Sequence, residues 1–275
     1  MVVGFLAPIL GKDLRLDFIC PQNARVPRNK KSTMSNILKA KRLICFDLDG
    51  TLIDSVGIWN QVDCQLILKL TGLNTAESEV QSFRDHCLAL YRHYADPYLA
   101  YCECLKDKYQ LNLSPIHIKQ QRYHISNDYL DQHMRLKPYA ADVVHALKKQ
   151  GYLLALCTTT SIDNIRRYQN YNTAISSKLH FENTFDLVLT REDVQQIKPH
   201  PEVYLSAMEH FSLPPEVCLV VEDSLVGIEA AQQANIEVIA IEDAYSKADR
   251  QEIKQASLHY FTSFDDFLRI IENSV

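Results

Sequence analysis

Leu43-Ile44-Cys45-Phe46 runs without a break into Asp47-Leu48-Asp49-Gly50-Thr51. Four consecutive apolar residues stopped by acidic residues and a glycine fit a short strand that is buried on both faces of a parallel sheet and ends at a ligand site. Runs of the same kind recur at Leu153–Cys157, Leu187–Leu189, Cys218–Val221 and Val238–Ile241. Helical periods separate them at Ala141–Gln150, Ile162–Tyr168, Glu202–Phe211, Leu225–Ala234 and Ala248–Ala256. Strands alternating with helices of this length imply right-handed βαβ units. The fold class expected is therefore α/β, a Rossmann-like parallel sheet with helices on both faces.

Between Asp54 and Pro138 no such strand occurs; helix-period stretches cover Ile58–Leu70, Ala76–Tyr94, Pro97–Tyr109 and Pro115–Met134. The expected organisation is an α/β core over 42–54 and 138–275, an all-helical insertion over 55–137, and an extension over 1–41. Charge sets the extension apart, with net +6 in residues 1–41 against −11 in the remainder. Pro21, Pro27 and Arg28-Asn29-Lys30-Lys31 show no helical or alternating period, so the segment is expected to be disordered. A true start at Met34 and a basic targeting or nucleic-acid arm are two readings of it.

The 275 residues are 47% hydrophobic and 23% charged, which excludes wholesale disorder and fibrous repeats. Val2–Leu10 is a nine-residue apolar stretch, short of the ~20 needed to cross a bilayer. It has no basic segment ahead and no small-residue cleavage site behind, so a cytoplasmic location and no membrane partner are expected. Eight scattered cysteines read as reduced thiols, and ten histidines show no metal-ligand spacing.

In open α/β sheets ligands bind beyond the carboxyl ends of the strands. Four polar groups fall there: Asp47-Leu48-Asp49-Gly50-Thr51, Thr158-Thr159-Thr160, Lys198-Pro199 and Glu222-Asp223. Carboxylates gathered at one edge repel one another unless a cation shares the site. Oxygen-only donors without histidine suit Mg²⁺, which binds through a few carboxylates together with substrate phosphate.

Asp47-Leu48-Asp49-Gly50-Thr51-Leu52, the threonine after Leu154-Ala155-Leu156-Cys157, Lys198-Pro199-His200-Pro201, and Val220-Val221-Glu222-Asp223-Ser224 with Gly227 and Ala230-Ala231 resemble the four ordered motifs of the haloacid dehalogenase superfamily. The closer resemblance is to its capped phosphatase branch, the phosphoglycolate phosphatases and β-phosphoglucomutases, and spans residues 43–245. It implies Asp47 as nucleophile through an aspartyl phosphate, Asp49 as general acid and base, Thr158 and Lys198 on the phosphoryl oxygens, and Mg²⁺ on Asp47, Asp49 (through its carbonyl), Asp223 and Glu222. Gly50, Thr51, Thr159 and Trp59 are the expected substrate contacts.

Within that family dehalogenases lack the second aspartate, so Asp49 favours phosphoryl transfer. The mutases carry a histidine twelve residues after the nucleophile, where this sequence has Trp59. The function expected is a Mg²⁺-dependent phosphatase of a small phosphorylated metabolite, acting as monomer or homodimer without nucleic acid. A β-phosphoglucomutase-like mutase and a silent binding module on the same fold are the alternatives. Specificity candidates in the insertion are Trp59, Gln61, Arg84, Arg92, His93, Tyr98 and Arg122. Asn170–Phe185 reads as an added surface loop or partner contact.

Overall fold

A computed structural model of the chain describes residues 34–91 and 93–273. Six parallel strands, β1 (Leu43–Phe46), β2 (Leu153–Cys157), β3 (Leu187–Leu189), β4 (Cys218–Glu222), β5 (Glu237–Ile241) and β6 (His259–Phe261), form one sheet in the order β3-β2-β1-β4-β5-β6. The chain runs outward from β1 to β3, then returns to the other side of β1 as β4, so the strand order reverses at β1 and β4. That reversal opens a crevice at the carboxyl ends of the two strands. Asp47 N–H donates to Val221 O at 3.0 Å, which brings Asp47 level with the end of β4.

The helices are α1 (Met34–Lys39), α2 (Val56–Thr71), α3 (Glu77–Leu90), α4 (Pro97–Tyr109), α5 (Pro115–Asp128), α6 (Ala140–Lys149), α7 (Ile162–Asn170), α8 (Thr173–Ser176), α9 (Phe181–Thr184), α10 (Glu202–Phe211), α11 (Leu225–Gln233), α12 (Arg250–Ala256) and α13 (Phe264–Glu272). Strand residues alternate between the two faces. Ile44, Phe46, Leu154 and Leu156 pack with Val143, Ile165, Phe181 and Phe267 on one face, while Leu43, Cys45, Ala155 and Cys157 pack with Tyr204, Ile228 and Ile253 on the other. Continuous apolar strands are the consequence, because neither face is left to water. A third cluster, with Leu66, Val80, Tyr101, Leu105 and Ile118, holds α2–α5 together. These four helices and a π-helical turn at Tyr129–His133 lie between β1 and β2. Asp96 and Ser114 cap α4 and α5, accepting from Leu99 N and His117 N, with Pro97 and Pro115 opening each helix.

Three expectations need correction. Residues 1–33 of the expected extension lie outside the described residues, but 34–41 are folded onto the core. Leu38 on α1 is buried, and Lys41 pairs with Glu237 at 2.7 Å and donates to Glu216 O at 2.7 Å. Leu38→Ala is expected to cost about 2–3 kcal/mol, read by chemical denaturation, because a full side chain leaves a closed core. The sixth strand and α13 extend the sheet beyond the five strands expected. Asn170–Phe185 is no surface loop: Ile175, Leu179 and Phe181 are buried, and Asn172 Nδ2 donates to Leu130 O and Met134 O at 2.7 and 3.0 Å.

Among the described residues the seven cysteines are free and no helix is long and apolar enough to cross a membrane. Cys20 lies outside them.

Candidate active site

Three strand ends converge. β1 delivers Asp47, β4 delivers Glu222 and Asp223, and the loop after β3 carries Lys198 between them; all four side chains are buried. Lys198 Nζ donates to Asp47 Oδ1 at 2.6 Å and to Glu222 Oε1 at 2.7 Å, with the Tyr204 ring 5.1 Å from the amine. Burial works against the charged amine, yet the Asp47 and Glu222 carboxylates hold its pKa above the ordinary lysine range. One cation cannot balance the cluster. Burial, with the neighbouring Glu222 and Asp49 charges, pushes the Asp47 carboxyl up to about 7 against the attraction of Lys198. Asp223 is raised for the same reason, first by burial, then by Glu222 and Asp47.

Glu222 is held from every side. Its Oε1 accepts from Lys198 and from Tyr204 Oη (3.1 Å), and its Oε2 accepts from Asp223 N (3.0 Å), Ser224 N (3.2 Å) and Ser224 Oγ (3.1 Å). A Cβ at Gly227 would collide with this carboxylate, so the glycine in the first turn of α11 makes room for it. Ser224 also caps α11, accepting from Gly227 N. With both oxygens engaged, Glu222 is suited to orienting Lys198 and the Asp223 backbone.

Asp223 faces the first turn after β1. Thr51 Oγ1 donates to Asp223 Oδ1 at 2.7 Å, and Gly50 has φ +85°, with an added Cβ coming within 2.8 Å of Asp223 Cγ. Both the positive φ and the close approach call for glycine. Gly50 and Thr51, expected as substrate contacts, are therefore packed against Asp223. Thr51 is fully buried, its hydroxyl proton spent on the carboxylate. Asp47, Glu222 and Asp223 each offer an oxygen within 4.8 Å of the others. Three buried oxygen donors against one lysine leave a negative excess that a divalent cation fits.

Asp49 stands apart from that cluster. Its Oδ2 accepts from Thr160 Oγ1, while its buried Oδ1 has no hydrogen-bond partner among the described residues. Burial raises its pKa, opposed by the Thr160 and Ser55 hydroxyls and the Lys198 charge. Thr158, at the end of β2, is buried and accepts from Thr160 N at 3.1 Å, which leaves its own hydroxyl proton free to donate. Thr159 is exposed, and Thr160 takes the role toward Asp49 that sequence reasoning left unassigned. In an apolar strand followed by three threonines, only the turn decides which hydroxyl faces inward.

Four insertion candidates come together: Trp59, Arg84, Tyr98 and Arg122. Arg122 Nε and Nη2 bond Asp63 at 2.5 and 3.2 Å, and Arg84 bonds Asp63 at 2.9 Å and Asn60 Oδ1 at 2.7 Å. The Arg122 guanidinium lies over the Trp59 and Tyr98 rings, 4.6 and 5.3 Å from their centroids. Desolvation of its hydroxyl raises the Tyr98 pKa against Arg122 and Arg84, although 41% of the residue is exposed. Gln61 and His93 are exposed, and Arg92 lies outside the described residues. Asp63 and Asn60, buried at the centre of this network, were missed because nothing in a helical period marks a polar residue as an anchor.

Residues 44–241 match the family described as haloacid dehalogenase-like hydrolase. The chain belongs to that family. Protein CbbY of Rhodobacter capsulatus is 32% identical over 114 residues, 42% of this chain and 48% of that protein. The bifunctional riboflavin kinase/FMN phosphatase of Arabidopsis thaliana is 25% identical over 222 residues, 76% of this chain and 51% of that one, so the chain spans about half the length of both. Phosphoglycolate phosphatase of Nitrosococcus oceani is 24% identical over 214 residues, 76% of this chain and 88% of its own length. Among solved structures, CbbY from Rhodobacter sphaeroides in complex with phosphate superposes with a TM-score of 0.64 at 22% identity, covering 84% of this chain and 99% of that one. A haloacid dehalogenase family hydrolase from Deinococcus radiodurans R1 gives 0.64 at 20% identity, over 86% and 96%. The chain thus shares its fold with both.

Proposed function

We propose that the chain is a Mg²⁺-dependent phosphatase of small phosphomonoesters, with residues 55–137 as a helical cap over the catalytic core. The observation that carries this reading is the contrast between two aspartates two residues apart. Asp47 touches a lysine and lies among metal-type donors, whereas Asp49 lies outside that cluster, with Oδ2 on the Thr160 hydroxyl and Oδ1 outside hydrogen-bond geometry. A nucleophile needs the first environment and a proton-transfer group the second.

In the first step Asp47 attacks phosphorus, the ester P–O bond breaks, and the leaving alkoxide takes a proton from Asp49. In the second, Asp49 takes a proton from water as that water attacks the phosphorus, freeing Asp47 and inorganic phosphate. Lys198 favours the ionised form of Asp47 against burial and offsets charge on the phosphoryl oxygens, and the free Thr158 proton serves those oxygens too. Asp47, Asp223 and the Asp49 carbonyl would hold Mg²⁺, with Glu222 fixing the lysine behind them. When bound, the ion neutralises the carboxylates and the phosphate that would otherwise repel each other. Water as acceptor is favoured over a sugar by Trp59, which stacks on Arg122 where a mutase has its histidine.

A panel of sugar phosphates, phosphoglycolate and nucleoside monophosphates, assayed for released phosphate with and without Mg²⁺, tests the reading. Release from at least one, abolished by chelation, is expected. No release from any, or release unaffected by chelation, would overturn it.

The raised carboxyls predict how the ion affects stability. With Asp47 at about 7 in the folded chain and near its ordinary value when unfolded, the folded state keeps a proton that the unfolded state loses. Without divalent cation, this group's contribution therefore falls as pH rises from about 4 through about 7. Mg²⁺ takes the proton's place, so calorimetry at an ion concentration about 100 times the pH 8 Kd should find stabilisation of about 2.7 kcal/mol near pH 8, and much less at pH 5, where protons compete and the Kd is higher.

A further inference from the structure

The chain leaves and re-enters the core through two short antiparallel segments. Ile53 bridges Leu136, Lys137 N–H donates to Leu52 O at 2.8 Å, and Asp54 N–H donates to Arg135 O at 2.9 Å. The returning segment sends a side chain to the loop that follows β5. Lys137 Nζ donates to Glu242 O at 3.0 Å and pairs with Asp243 Oδ2 at 2.9 Å, with the Lys137 side chain 12% and the Asp243 side chain 2% exposed. Asp243 Oδ1 accepts from Tyr245 N at 2.8 Å, which fixes the loop's turn.

Tyr245 then reaches the insertion twice. Its ring occupies the space beside Gly57 in the first turn of α2, where an added Cβ would come within 2.7 Å of Tyr245 Cζ. Its carbonyl accepts from Gln81 Nε2 on α3 at 3.5 Å. One four-residue core segment, 242–245, thus touches the return segment, α2 and α3. The other side of the return is braced by Arg167, which pairs with Asp131 at 2.6 Å, and by Asn172. That brace holds the π-helical turn and, through Asn127 O at 3.5 Å, the last turn of α5.

We propose that Lys137, Asp243 and Tyr245 are positioning residues, forming a latch that fixes the helical insertion over Asp49. The proposal rests on the reading of that insertion as the cap of a phosphatase. A buried ion pair contributes little net stability, so the role assigned to Lys137 and Asp243 is to fix geometry between the two segments they join. Gly57 occupies a helical position where alanine is the better helix former, and its missing Cβ is what admits Tyr245. The latch sets where Trp59, Tyr98 and Arg122 stand relative to the proton-transfer group, so it acts on substrate binding through them.

Amide hydrogen exchange of the full chain, with kinetics on p-nitrophenyl phosphate, tests the latch in Gly57→Ala, Lys137→Met and Lys137→Arg. In the first two, exchange over α2, α3 and residues 52–54 and 135–137 is expected to rise about 10-fold while the sheet stays protected. In Gly57→Ala KM should rise about 10-fold with kcat within about 3-fold and the melting temperature within about 2 °C of the parent, whereas in Lys137→Met, whose lost charge also acts on Asp223, the exchange pattern is the readout. Lys137→Arg, which keeps the cation, should restore both readouts. Parent-like exchange in Gly57→Ala and Lys137→Met, or a rise spread evenly through the sheet, would overturn the latch. Failure of the phosphatase reading shows separately as a parent enzyme that releases no phosphate, in which case the exchange pattern alone decides the latch.

Discussion

Asp47→Asn is expected to lower phosphate release by at least about 10³-fold, to the level of the chelated enzyme. The amide that replaces the carboxylate is no nucleophile, and it removes one of three buried anions grouped with Lys198. Losses of this order follow when a covalent nucleophile is deleted and the remaining site still binds and stabilises charge. The substitution should not unfold the chain. Burial already raises the Asp47 pKa to about 7, so a neutral group at this position relieves repulsion from Glu222 and Asp49. Circular dichroism with a cation-free melting curve should show a variant at least as stable as the parent at pH 8, and one that gains less from Mg²⁺. Undiminished turnover would remove Asp47 from the mechanism, and an unfolded variant would leave Asp47 a structural role.

The central strands and the four polar groups at their ends could be read from the sequence because they obey short-range rules. A strand covered on both faces is an unbroken apolar run, and a loop at a carboxyl end must break it with polar residues. β6 escaped because His259-Tyr260-Phe261 buries only Phe261, leaving no run to notice. α1 escaped because its six residues are too few for a period, although Leu38 fills the core as fully as any strand residue. The site's finer assignments depend on geometry that residue order does not carry. Thr51 and Gly50 sit beside Asp49 in sequence, yet both are turned onto Asp223, 172 residues from Thr51. Thr160 reaches Asp49 across 111 residues, and Arg122 meets Asp63 across 59. Such pairings are set by how strands and helices distant in sequence pack together, so the residue types could be nominated while their partners could not.

Lys198→Ala separates the two jobs that the lysine holds. Its amine is buried, 2.6 Å from Asp47 and 2.7 Å from Glu222, and removing it leaves two buried carboxylates with no cation between them. Breaking a buried pair from one side typically costs about 3–5 kcal/mol, so the cation-free variant should melt well below the parent. The rate should fall by about 10²–10³, as when a positioned electrostatic donor is taken from a phosphoryl or acyl transfer site. Mg²⁺ affinity should move the opposite way. Three carboxylates that shared one internal cation now share none, and a rise of about 10-fold, worth about 1.4 kcal/mol, is expected by calorimetric titration. Saturating Mg²⁺ should then recover most of the lost stability but little of the lost rate, because an ion on Asp47 and Asp223 does not replace an amine held between Asp47 and Glu222. Weaker Mg²⁺ binding together with the slower rate would mean that Lys198 builds the cation site instead of competing with it.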